Sequence, residues 1–199
     1  MRIAVSGLSG CGNTTVSAKA AKALKLTPVN YTMRSLARDL GLPFEQAMRM
    51  RKEDSKLDLL LDLKQAKLAA RDGVILSSRL AIWLMPHAQL KVWLAAPLKV
   101  RAQRIAQREG KPFSQALKET TARDRNDAAQ YRKIYGIDVT DLSAADLVIN
   151  TAALDASHAA AVIAGAAKAL NMRKPAAQSE AYNKIIAVIR RKFKRSVRR

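Results

Sequence analysis

Apolar and polar positions along this chain switch repeatedly between two periods. Short apolar, β-branched runs recur at Arg2–Ser6, Thr27–Tyr31, Val74–Leu76, Leu90–Leu94 and Leu147–Asn150, and each reads as a strand. Between them the spacing turns helical. Helices are expected over Val16–Leu24, Met33–Leu40 and Phe44–Met50, with Gly41-Leu42-Pro43 breaking the second from the third. A longer helix, capped by Asp54 or Ser55, carries Leu57, Leu60, Leu61, Leu63 and Leu68 and ends at Asp72-Gly73. Further helices are expected from Leu80, from Pro97 to Glu109, from a Ser114 cap through Tyr131 and Tyr135, and over Ala156–Leu170. Strands alternating with helices predict an α/β fold: a five-stranded parallel sheet with helices on both faces, a three-layer sandwich. Beyond a loose segment, Arg173–Glu180, the residues Tyr182, Ile185, Ile186, Ile189 and Phe193 fall on one stripe, which predicts an amphipathic, basic C-terminal helix.

The first strand runs straight into glycines. Gly7, Gly10 and Gly12 are followed by Asn13, Thr14 and Thr15, which open the first helix. Strand, glycine loop and helix N-terminus together frame a phosphate site: the backbone curls so that its N–H groups point inward, toward an anion. The spacing G-x-x-x-x-G-N-T matches a P-loop, with Asn13 where Lys is usual and Thr14 keeping the hydroxyl that faces Mg²⁺. The dinucleotide fingerprint G-x-G-x-x-G is absent. Ser77-Ser78-Arg79 follows the third strand, where α/β proteins gather ligand contacts, so Arg79 is a candidate site residue.

Composition narrows the classes. One cysteine, Cys11, rules out an internal disulfide and fits an intracellular setting. Cys11 is read as a small loop residue, since no histidine lies near it in sequence. His87 and His158 form no ligand cluster, so no protein-built metal site is expected. No signal peptide is expected, because the apolar run after Arg2 is short and ends in glycines, and no membrane span, because Ala152–Leu170 carries Asp155, His158 and Lys168. The net charge is +20. Residues 172–199 hold ten basic residues and one acid, so +9, and the remainder carries +11. Both parts are expected to attract polyanions in a salt-sensitive way.

Several segments together resemble the archaeal-type cytidylate kinases, a family of P-loop nucleoside monophosphate kinases. They are GLSGCGNTTVSAKAAKAL, SRLAIWL with Pro86 after it, KVWLAAPLKVRAQRIAQREG, ALKETTARDRNDAAQYRKIYGIDVTDLS and ADLVINT. The likeness covers about residues 1–151, and it departs from the family pattern at Asn13, at Val29-Asn30-Tyr31-Thr32 and at Ser77-Ser78. The resemblance implies phosphoryl transfer from ATP–Mg²⁺ to CMP or dCMP in the cytoplasm. It implies a kinase domain over 1–171, with an acceptor-binding part at about 32–72 and a lid at about 108–136, and a basic tail over 172–199. It assigns Gly7, Leu8, Ser9, Gly10, Cys11, Gly12, Asn13, Thr14 and Thr15 to the donor phosphates, Thr14 to the metal, and Arg34 and Arg79 to the acceptor phosphate. It places Arg123 and Arg125 in the lid as catalytic residues, with Asp127 orienting those arginines or the acceptor.

The charge opens a second class. A kinase fold with weak or no turnover could serve as an RNA-binding, ribosome-associated protein, its contacts made by Lys184, Arg190, Arg191, Lys192, Lys194, Arg195, Arg198 and Arg199.

Overall fold

A computed structural model describes residues 1–170 together with Ala187 and Arg191. The first strand, β1 (Arg2–Gly7), leads through the glycine loop into α1 (Asn13–Leu24) and then β2 (Thr27–Val29). Three helices follow, α2 (Met33–Asp39), α3 (Phe44–Glu53) and α4 (Lys56–Ala69), before β3 (Val74–Ser77) and the short α5 (Ala81–Leu84). The second half runs β4 (Leu90–Ala95), α6 (Leu98–Glu109), α7 (Phe113–Tyr135), β5 (Leu147–Asn150) and α8 (Ala156–Ala169). The five strands form one parallel sheet in the order β2-β3-β1-β4-β5.

The period-two alternation of the strands splits the core between the two faces of the sheet. Ile3 and Val5 of β1, Ile75 of β3 and Val92 and Leu94 of β4 pack with Val16 and Ala20 of α1 and Ala159 and Ile163 of α8. Their neighbours Ala4, Val74, Leu76 and Trp93 face the other way, toward Leu59 of α4, Trp83 of α5 and Tyr131 and Tyr135 of α7. Trp83 and Trp93 meet edge to face, ring centroids 5.9 Å apart. A third cluster, Leu36, Ala37, Ala47 and Leu57, ties α2, α3 and α4 into an arm beside the sheet.

Four local expectations are revised. The strand β2 stops at Val29 instead of reaching Tyr31, and Asn30, Tyr31 and Thr32 turn out of the sheet. Ser114 does not cap α7: the helix starts one residue earlier, at Phe113, with Pro112 at its N-cap and no side-chain cap bond, so Ser114 lies inside the first turn. Ser55 occupies the N-cap of α4 without a side-chain cap bond; its neighbour Asp54 accepts from the Lys56 backbone N–H at 3.0 Å instead. The helix expected from Leu80 is only the single turn α5. The tail contacts expected at Lys184, Arg190, Lys192, Lys194, Arg195, Arg198 and Arg199 lie outside the described residues; Arg191 is helical and exposed. Among the described residues no helix is long and apolar enough to cross a membrane, and no group of metal-ligating side chains gathers.

Candidate active site

The strand order reverses at β1, and a cleft of about 600 Å³ opens beyond the carboxyl ends of the strands there. Its base is the glycine loop. Gly10 and Gly12 hold left-handed backbone at φ 86° and 91°, a region that favours glycine. Gly12 is the N-cap of α1 and supplies no side-chain cap, so the first amides of the helix, at Asn13, Thr14 and Thr15, are left for an anion. Leu8, Ser9, Gly10, Gly12, Asn13, Thr14 and Thr15 line the cleft, whereas Gly7 and Cys11 lie behind it. Cys11 is buried, and burial raises its thiol pKa, which argues against a nucleophile.

Asn13 takes a different course from the usual lysine. Its amide folds back, donating to the Gly7 carbonyl at 2.5 Å, so it braces the loop from inside. Positive charge reaches the cleft from other elements, through Arg51, Arg79, Arg104, Arg108 and Arg123. Two arginines of α6 also hold the loop's carbonyls. Arg101, buried against Asp124 at 2.8 Å, donates to the Ser9 carbonyl at 3.2 Å, and Arg104 donates to the Gly10 carbonyl at 3.3 Å and the Thr151 carbonyl at 2.5 Å. The Cys11 N–H closes a turn onto the Leu8 carbonyl at 3.1 Å, and with the Ser9 and Gly10 carbonyls held from behind, the N–H groups around it are left to face the cleft.

Arg79 joins the two sides of the site. Its Nη2 donates to Ser9 Oγ of the loop at 2.7 Å, and its Nη1 pairs with Asp127 at 3.1 Å. The buried Asp127 also receives Arg51 at 3.4 Å, and Arg51 Nε donates to Asp58 at 2.6 Å. Gln130 donates to the other oxygen of Asp58. A chain of ion pairs and hydrogen bonds therefore runs from the glycine loop through α7 and α3 to α4.

The other residues expected at the site fall at different distances from this cleft. Asp127, buried on α7, forms its ion pairs with Arg79 and Arg51. Arg123 lines the cleft; Arg125, two positions on, is exposed and does not. Arg34 is exposed, its guanidinium 4.0 Å above the ring of Phe44, and only that ring lines the cleft. Asn30, at one of the departures from the family pattern, donates to the Thr14 hydroxyl at 3.5 Å. Sequence reading missed Arg51, Asp58, Asp62, Gln65 and Arg104. The polar positions 58, 62 and 65 inside a leucine-rich helix are the signal that could have found three of them, since they share one face of α4.

Asp62 is buried and accepts from the Tyr135 hydroxyl at 2.5 Å. Burial pushes its carboxyl up to about 7, and it raises the Tyr135 phenol as well. The folded protein therefore keeps a proton that the unfolded chain sheds near 3.8. That proton stabilises the fold fully below about 4, and the contribution is lost as pH rises through about 7. The variant Asp62→Asn is expected to gain thermal stability relative to the natural protein between about pH 5 and pH 8. Melting curves of both proteins across that range check it; parallel curves would contradict it.

Comparison with known proteins places this geometry. A model of the cytidylate kinase-like family matches residues 63–153. The chain is 41% identical over 162 residues to cytidylate kinase 2 of Borrelia garinii subsp. bavariensis, covering 79% of this chain and 91% of the relative. It is 42% identical over 173 residues to the cytidylate kinase of Natronomonas pharaonis, covering 85% and 90%. The chain belongs to the cytidylate kinase-like family.

Solved structures similar to this family member agree on the fold. The shikimate kinase of Bacteroides thetaiotaomicron superposes with a TM-score of 0.59 at 15% identity, over 86% of this chain and 98% of that one. The deoxyadenosine kinase of M. mycoides with bound dATP gives 0.54 at 17% identity, over 84% and 100%. At these identities the likeness carries the P-loop kinase fold alone. The relatives lend no support to the expectation of RNA or ribosome attachment.

Proposed function

We propose that this protein transfers the γ-phosphoryl group of ATP to CMP or dCMP, giving the nucleoside diphosphate and ADP. The observation that carries the reading is Arg79, bonded at once to Ser9 of the glycine loop and to Asp127 of the acceptor side. A group so placed faces both phosphates of an in-line transfer, in which the enzyme's work is to position two anions and spread their charge. The family relatives, curated as cytidylate kinases, supply the acceptor class.

In this reading the amides of the loop and of α1 bind the donor phosphates, and the Thr14 hydroxyl is the ligand this chain offers to Mg²⁺. The metal would neutralise charge on the donor phosphates. The uncapped α1 terminus, the left-handed glycines and the surrounding arginines fit a nucleotide triphosphate. Arg51 and Arg79 hold the acceptor phosphate, whose oxygen is the nucleophile, so no general base is required. Residues 108–136, carrying Arg108 and Arg123, form the lid that excludes water on closing, and residues 32–72 form the acceptor arm. Such chemistry belongs in the cytoplasm, where both nucleotides are made and used.

A coupled assay of ADP release tests the reading. ADP formation from ATP–Mg²⁺ is expected to depend on CMP or dCMP, in the full chain and in a chain ending at residue 171. Folded protein that releases no ADP at millimolar CMP overturns it.

A further inference from the structure

One buried acceptor on the arm side of the cleft has no partner. Gln65 lies on the inner face of α4, three positions beyond Asp62, and is 5% exposed. Its Nε2 donates to the Tyr31 carbonyl at 2.7 Å, which fixes the orientation of the amide. The Oε1 that remains is buried and has no hydrogen-bond partner. A buried carbonyl oxygen without a donor is destabilising, and a ligand N–H placed against it removes that penalty. Asp62, one turn earlier on the same buried face of α4, is already engaged by the Tyr135 hydroxyl. Both residues line the cleft, and so do the apolar side chains of Met33, Phe44, Met48 and Leu61, which can flank the faces of a flat ring.

Building on the kinase reading above, we propose that Gln65 Oε1 reads the exocyclic amino group of the acceptor base and so selects an amino-pyrimidine over uracil. The chemistry is a count of hydrogens. The 4-amino group of cytosine brings an N–H donor to this buried acceptor. Uracil presents a carbonyl oxygen at that place, which sets one acceptor against another and leaves Gln65 Oε1 without a donor. A buried site built to hydrogen-bond one group rejects the analogue that lacks it far more strongly than an apolar pocket rejects a change of shape. The Tyr31 bond matters for this, because it prevents the amide from flipping to present its NH₂ to uracil.

The test compares CMP, UMP and the 4-deamino analogue, pyrimidin-2-one ribonucleoside monophosphate, by calorimetric binding and by ADP release. The natural protein is expected to favour CMP over both others by about tenfold to a hundredfold. In Gln65→Leu the CMP preference over UMP is expected to fall to within about threefold, because the acceptor that penalised uracil is gone, with KM for ATP unchanged. A CMP to UMP ratio that survives in Gln65→Leu overturns the proposal. So does a natural protein that accepts the 4-deamino analogue as well as CMP, and that comparison decides the matter even if the variant fails to fold. The two readings fail separately. Selective CMP binding without ADP release supports the base reader and removes the kinase activity; turnover with no loss of ratio in the variant does the opposite.

Discussion

Arg79→Ala is expected to lower kcat/KM for CMP by about a thousandfold or more, the range seen when an arginine that stabilises a transferring phosphoryl group is removed. Arg79 holds Ser9 Oγ at 2.7 Å and Asp127 at 3.1 Å, so one guanidinium spans the donor loop and the acceptor floor. Its importance is raised by Asn13, whose amide is turned back onto Gly7 and brings no charge to the phosphates. Arg79→Lys is not expected to rescue, since an ammonium on a flexible stem cannot meet both partners in a fixed fork. The fold should survive, because Asp127 keeps Arg51 at 3.4 Å. A coupled ADP assay beside a melting curve checks both parts. An Arg79→Ala protein within about tenfold of natural activity would remove this residue from the mechanism.

Gly10→Ala is expected to be the second large effect, and a larger one than Gly12→Ala. Both glycines sit at positive φ, so either substitution meets left-handed strain of about 1–2 kcal/mol. Space separates them. A Cβ on Gly10 would come within 2.7 Å of the Arg101 carbonyl oxygen and 2.8 Å of its Cβ, in the body of α6, whereas one on Gly12 meets nothing nearer than Val16 Cγ2 at 3.7 Å. The Gly10 variant must push the loop off α6 and loosen the Arg101 bond that holds the Ser9 carbonyl. Its Tm should fall by about 5–10 °C, and its KM for ATP should rise by about tenfold or more as the loop amides lose their aim. Gly12→Ala should show the strain alone. Equal losses in the two variants would mean that the contact with α6 does not matter.

Much of this architecture was legible along the chain, for a local reason. The strands, the glycine loop and the helix that follows are set by neighbours in sequence: β-branched runs, glycines at the turns, and helical spacing of leucines. The misreadings were also local. Proline rather than Ser114 begins α7, and Tyr31 leaves the sheet edge to face the cleft.

The sequence by itself determined a parallel α/β sheet, a glycine loop between its first strand and first helix and an arginine-rich chain of charge +20, because each follows from short-range spacing or from counting. Arg79 stood out by its place after the third strand, but only the tertiary structure decided which side chains it pairs with. Arg51, Arg79 and Asp127 are distant in sequence, and their pairing depends on α3, β3 and α7 converging on one cleft. The same holds for Gln65: its spacing marks a polar position on a leucine-rich helix, and only packing against Tyr31 buries one oxygen and leaves it without a donor. Charge and polarity are written residue by residue, but partnership requires two distant segments to meet, and the packing of both faces of the sheet settles that.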